Sequence, residues 1–212
     1  MNNPIQDKSS ENFSEKAKLY FRLMLINGAA FVVCYVGPNY YASISDVHYR
    51  FYFSWESAIP FYPSWIYIYL TISLWFLLPL FVLDAEAIRK LSRAFLVTTL
   101  IGGVCFMLFP AQSPFDRSQH QVGSNAVYQL VYFLDKPHNL VPSLHIAYGI
   151  LFLCVFQAKK VSGLLLWYVW AAAMMVSVLL THQHSIMDII GGMLLGGGVY
   201  WYCYESAVGS RA

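Results

Sequence analysis

Charged side chains are scarce in this sequence. Its 212 residues include 13 Lys or Arg and 11 Asp or Glu, so 11% are charged, where a soluble domain carries about a quarter. With 58% hydrophobic residues and a mean hydropathy of +0.51, this shortage excludes an ordinary water-soluble domain and points to a membrane protein. Cysteine is nearly as sparse. Cys34, Cys105, Cys154 and Cys203 each fall inside an apolar run with no metal-type spacing, which speaks for small buried hydrophobes rather than disulfides or a thiolate metal site. No short apolar core with a small-residue cleavage site follows the first nineteen residues, so no cleavable signal peptide is expected. Those residues, with Asp7, Lys8, Glu11, Glu15, Lys16 and Lys18, read as a polar lead-in helix. Linkers and low-complexity segments are lacking, and a net charge of +2 gives no reason to expect a nucleic-acid partner.

What the sequence does have is long apolar runs. Six segments approach the roughly 20 residues that a helix needs to cross a bilayer: 20–41, 65–83, 91–109, 141–156, 161–180 and 188–204. Apart from Arg22 and Arg93 near their starts, they hold no Lys, Arg or Glu. The fold expected is all-α, a six-transmembrane-helix bundle over 20–204, with a lead-in at 1–19 and a tail at 205–212. Lys8, Lys16, Lys18, Arg22, Arg89, Lys90, Arg93, Lys159, Lys160 and Arg211 fall on one side of such a bundle, and only Arg50, Arg117 and Lys136 on the other. By the positive-inside rule both termini are cytoplasmic. All six histidines then lie on the outer side, together with the longest connection, 110–140.

Two polar stretches interrupt the apolar pattern there. In Thr181-His182-Gln183-His184-Ser185-Ile186-Met187-Asp188, a helix would stack His184 and Asp188 on one face, where a carboxylate holds and polarises an imidazole. Ser185 and Asp188 also have capping-box spacing. In Val141-Pro142-Ser143-Leu144-His145, a proline at the first helical position would leave N–H groups near Ser143 free for an anion. Upstream, Lys136 and Asn139 add a cation and an amide. Two histidines flanking an anion suggest phosphoryl transfer, with His184 as nucleophile, Asp188 as its orienter and His145 as general acid. Ser143, Lys136 and Arg117 would hold the phosphate.

The run from Asp135 to His145, followed by Ser177 and by His184, Asp188 and Gly191, resembles the type 2 phosphatidic-acid phosphatase superfamily. It is most similar to the branch that includes inositol phosphorylceramide synthase-like enzymes, as are Ile59 to Trp65 and Phe109 to Arg117. The resemblance implies six helices, an active site on the non-cytoplasmic face, a phosphohistidine intermediate and no metal or other cofactor. By motif match His184, Asp188 and His145 take the catalytic roles and Ser143 binds phosphate. Val178 stands where the third motif has arginine, and the lysine–arginine first motif is not intact. Arg117, Lys136 and His182 are left to supply the positive charge.

A lipid phosphate or phospholipid is therefore the expected substrate. Hydrolysis makes the protein a lipid phosphatase, and transfer to an alcohol makes it a phosphotransferase. A rival from another class is a non-enzymatic membrane protein whose histidines bind a metal or haem, for which His182 and His184 are candidates. The expected location is a bacterial inner membrane, with the site facing the periplasm. Gly191, Gly192, Gly196, Gly197 and Gly198 read as a helix-packing stripe. The aromatics from Tyr40 to Trp65 read as an interfacial belt and hairpin in the first outer loop.

Overall fold

The computed structural model describes residues 13–205 apart from 121, 123 and 124. The first twelve residues of the expected lead-in, and the tail from 206 on, lie outside the described residues. Among those described all the regular structure is helical, with no strand and only an isolated bridge between Tyr49 and Ala111. The hairpin expected in the first outer loop is therefore replaced by two short 3-10 turns, Ser54–Ala58 and Pro63–Trp65. Its aromatic side chains Tyr49, Phe53, Trp55 and Tyr62 remain exposed.

Helix α1 (Phe13–Phe31) runs through a π-helical turn (Val32–Val36) into α2 (Gly37–Ile44), giving one 32-residue rod. The widened turn has a local cause: Pro38 has no N–H to offer the carbonyl of Cys34. The lead-in from Phe13 on belongs to this rod. The second apolar segment is not one helix but three pieces, α3 (Ile66–Leu70), α4 (Ile72–Trp75) and α5 (Leu78–Val82). Thr71 Oγ1 donates to the Ile68 carbonyl, a local bond that competes with the helix ladder. Pro79 cannot donate to the carbonyl of Trp75.

Then come α6 (Ala85–Leu108), the short α7 (Ala126–Leu134), α8 (Leu144–Ala158), α9 (Leu164–Leu180) and α10 (Ile186–Tyr200). Among the described residues three helices are long and apolar enough to cross a membrane, namely Phe13–Ile44, Ala85–Leu108 and Ile186–Tyr204, while α8 and α9 are apolar but shorter. Lys16 reaches the Leu83 carbonyl at 3.4 Å and Lys159 pairs with Asp84 at 2.9 Å. The start of α1 and the connections before α6 and after α8 thus share one end of the bundle. The Ala87 amide and Lys159 hold the Asp84 carboxyl below its usual range.

Helix α8 is the core of the bundle, packed by α6, α9 and α10. Leu151, Phe152, Val155 and Phe156 are fully buried on it, and Trp75 stacks on Trp170 beside them with ring centres 3.4 Å apart. The glycine stripe divides by position. A Cβ at Gly192 would lie 2.6 Å from the Ser143 carbonyl oxygen and one at Gly196 would lie 2.5 Å from that of Ala147, whereas Gly197 and Gly198 face open space. Only the first two permit the α8–α10 approach. Gly192→Ala is accordingly expected to destabilise the fold by about 1–3 kcal/mol and to lower the thermal midpoint in detergent, while Gly198→Ala leaves it unchanged.

Candidate active site

The end of the bundle opposite Lys16 and Asp84 gathers the histidines in three pairs. Ring centres are 5.1 Å apart for His48 and His138, 4.9 Å for His120 and His182, and 5.8 Å for His145 and His184. The last pair comes from two helix starts. Helix α8 begins with Ser143 as its N-cap, the Oγ accepting from Ile146 N at 3.5 Å. Pro142 therefore precedes the cap and is not the first helical residue. The expected free N–H at Ser143 is also taken, since it donates to the Asp188 carbonyl at 3.0 Å. This bond ties the start of α8 directly to the first turn of α10.

The chain reaches His184 through a tight exit from α9. Gln183 N donates to the Val178 carbonyl at 2.9 Å and His182 N to that of Leu179 at 3.0 Å, the paired bonds of a Schellman ending. His182 occupies its left-handed position at φ 56°, where glycine is usual. Ser185 then caps α10. Its N–H donates to Asp188 Oδ2 at 2.7 Å and its Oγ accepts from Asp188 N at 3.4 Å, closing the capping box. Because the carboxylate already serves Ser185, it approaches His184 Nδ1 only to 3.4 Å. That ring nitrogen is buried without a formed hydrogen bond.

On the other side of the pair, His145 Nε2 shares a hydrogen bond with Tyr69 Oη at 2.9 Å. Asp135 accepts from the Tyr35 hydroxyl, and its charge acts on Tyr69 as well. Arg117 donates to the Asp135 carbonyl and, at 3.0 Å, to Gln183 Oε1, the residue before His184. Its Nε is buried and unpartnered. Val178, where an arginine is absent, is fully buried, and its carbonyl accepts from Gln183 and His184.

Asn139 is buried, donates to the Tyr35 carbonyl at 2.6 Å and keeps its Oδ1 unpartnered. Lys136 is exposed and is held through its backbone, whose carbonyl accepts from Asn39 at 3.1 Å and from His138 N at 2.9 Å. The Lys136 side chain is not brought to the pair. Neither is His182. The Schellman turn directs its ring onto Phe115, centres 3.9 Å apart. Its Nε2 donates to the Ile59 carbonyl at 2.9 Å while Nδ1 meets His120 Nε2 at 2.8 Å. Both nitrogens are committed, and the rings of His182 and His184 serve different partners. Among the described residues no group of three His, Cys, Asp or Glu side chains converges as a metal site.

Residues 44–202 match the family model described as the PAP2 superfamily. The chain belongs to this superfamily. No curated protein and no solved structure matches it. The PAP2 assignment accounts for the two histidine stretches, but the structure adds residues that the motifs do not mark. Tyr69 sits unannounced in an apolar run. Glu56, fully buried in the first outer loop, accepts from Phe53 N and from Ile186 N, each at 2.8 Å, so it binds that loop to the start of α10. An acidic residue among the loop's aromatic side chains was the available signal. Gln183, between the two histidines of its motif, is the link to Arg117.

Two expectations follow from this geometry. Removing the Tyr69 hydroxyl takes away the hydrogen-bond partner of His145 Nε2. Tyr69→Phe should lower kcat about tenfold, the equivalent of one hydrogen bond to a charged group, with little change in KM. The second concerns the chain Tyr132–His120–His182–Ile59, which clasps the outer loops together. The Ile59 carbonyl can only accept, so His182 carries its proton on Nε2 and takes one from His120 Nε2–H, and His120 Nδ1 takes that of Tyr132. A proton added to either ring puts a charge into this half-buried chain, and on His120 Nδ1 it turns the Tyr132 hydroxyl from donor to acceptor. Burial, then the His182 and Arg117 charges, push His120 down to about 4, and burial lowers His182. The opened loops bind protons below the ordinary histidine value, and the clasp does so only nearer 4. The clasp is therefore intact above about 6.5 and is lost as pH falls towards 4. Hydrogen exchange at 115–120 and 181–185, corrected for intrinsic rates, should accelerate over that interval, and His120→Gln should flatten the dependence.

Proposed function

We propose that this PAP2 protein is an integral membrane lipid-phosphate phosphatase working through a phosphohistidine at the non-cytoplasmic face. The observation that carries the reading is the 5.8 Å approach of the His145 and His184 rings, with Asp188 on the far nitrogen of one and Tyr69 on the other. That separation puts both imidazoles within reach of one phosphorus atom. In this reading all six apolar segments cross the membrane. The broken second segment and the short α8 and α9 complete their passage with flanking residues, and the basic end of the bundle is cytoplasmic.

His184 Nε2 attacks phosphorus while the bond to the leaving oxygen breaks. Asp188 favours the tautomer with the proton on Nδ1, which leaves the Nε2 lone pair free. His145 gives its proton to the leaving lipid alcohol, and the same ring then takes a proton from the water that attacks phosphohistidine. Inorganic phosphate leaves and both rings return to their starting state. Arg117, beside Gln183, replaces the arginine missing at Val178 and neutralises the equatorial oxygens, with Ser143 and Asn139 around them. The missing arginine favours transfer of a phospho-headgroup to a lipid or sugar alcohol as a second reading, in which an alcohol stands in place of water.

The test is to offer purified protein a panel of lipid phosphates in detergent and chelator, with and without alcohol acceptors, and to follow products by mass spectrometry. Phosphate release or headgroup transfer is expected, with acid-labile phosphate trapped on His184. His184→Ala should abolish turnover and His145→Ala should lower kcat by about 10²–10⁴-fold. No turnover of any phosphate ester, or stoichiometric metal or a Soret band in the pure protein, would overturn the reading in favour of a binding protein.

A further inference from the structure

Beneath the histidine pair lies a cavity of about 270 Å³, reaching from His145, His184 and Asn139 down to Met24, Phe76 and Phe95. Its head end is polar, lined by Asn139 and the two rings, and the buried Oδ1 atoms of Asn139 and, lower down, of Asn27 have no partner. The remainder is walled mostly by apolar side chains. It is bounded below by the Phe76 and Phe95 rings, whose centres are 5.4 Å apart. The α-helical rise puts Asn27 about 12 Å below Tyr35, so the cavity descends well into the apolar part of the bundle. Its side is open. Helix α1 packs along α6 and meets the second segment at α5, near the basic end. Above that contact Gly28 on α1 and Ser73 on α4 line the cavity and are both exposed, and a Cβ on Gly28 meets nothing within 4 Å.

We propose that this opening between α1 and α4 is a port through which one hydrocarbon chain of the substrate slides from the bilayer, bringing its phosphate to the histidine pair. The proposal rests on the phosphatase reading of the pair and adds the substrate class: an amphiphile presenting a single extended tail beside its phosphate. The occupant is a lipid chain because the groove is apolar, opens sideways among membrane-spanning helices and is continuous with the phosphate site. It differs from an approach over the aromatic first loop, whose rings do not line it. For short alkyl phosphates dissolved in water, each methylene taken up should raise kcat/KM by up to about fourfold until the groove is filled.

Gly28→Leu adds a side chain into the mouth without a backbone clash. The ratio of kcat/KM for a dodecyl phosphate to that for methyl phosphate should fall at least tenfold, while the matched control Gly198→Leu on α10 leaves the ratio unchanged. An equal loss on both esters, or an unaltered ratio, overturns the port. Binding tests it independently of turnover. Dodecyl phosphonate should raise the thermal midpoint of the wild type well above the effect of methyl phosphonate, and Gly28→Leu should erase that increment; an increment that survives the substitution overturns the port. Hydrolysis of dodecyl phosphate by the wild type tests the phosphatase reading, whereas the phosphonate midpoint shift tests the port without turnover, so the two readings fail separately.

Discussion

The approach of α10 to α8 is limited by backbone and not by side chains. The Ser143 and Ala147 carbonyl oxygens occupy the space where Gly192 and Gly196 would carry a Cβ. In a bilayer the lipid tails are as apolar as leucine, so close van der Waals packing must hold such helices together. His145 follows Ser143 by two residues, and His184 precedes the first turn of α10. The Ser143 N–H bond to the Asp188 carbonyl adds a fixed point between the two helix starts. The separation of the two imidazoles is thus set by a backbone contact rather than by the loops above them.

Those loops bury polar groups at a depth where an unpaired one costs about 1–3 kcal/mol, and most are paired. Glu56 accepts two backbone amides, Gln183 joins Arg117, and His120 and His182 complete a chain ending on the Ile59 carbonyl. The exceptions are informative. His184 Nδ1, Arg117 Nε and Asn139 Oδ1 are among the few buried side-chain atoms without a partner, and all three belong to the neighbourhood of the histidine pair. His138 Nδ1, in the same loops, is unpartnered as well, and His184 Nδ1 lies 3.4 Å from the Asp188 carboxylate, so these groups have unused hydrogen-bonding capacity close to the pair.

Much of this was legible from residue order. The two polar stretches stood out because charge is so rare elsewhere, and the capping box of Ser185 and Asp188 could be read from its spacing. What could not be read was which way side chains turn after a helix ends. His182 resembled a phosphate ligand until the Schellman turn placed it on Phe115 and His120, and Lys136 is held only by its backbone. The apolar length of 65–83 gave no warning of its breaks, because Thr71 and Pro79 act through single hydrogen bonds made or missing. Tyr69 was invisible for the opposite reason. In a run of sixteen tyrosines' worth of sequence, nothing local distinguishes the one that meets a histidine 76 positions away.

In the proposed reading, head and tail recognition come from different parts of the chain. The phosphate end is built by α8, α10 and the outer loops, all inside residues 44–202, which match the PAP2 model. One wall of the tail groove is α1, with Met24, Asn27, Gly28 and Phe31, and it lies before the matched region. Chemistry at phosphorus requires a fixed pair of imidazoles, whereas a hydrocarbon chain requires only space and a way in. Substitutions along α1 can therefore change which lipid is accepted without moving His145 or His184, because α1 does not take part in the α8–α10 contact that sets their separation.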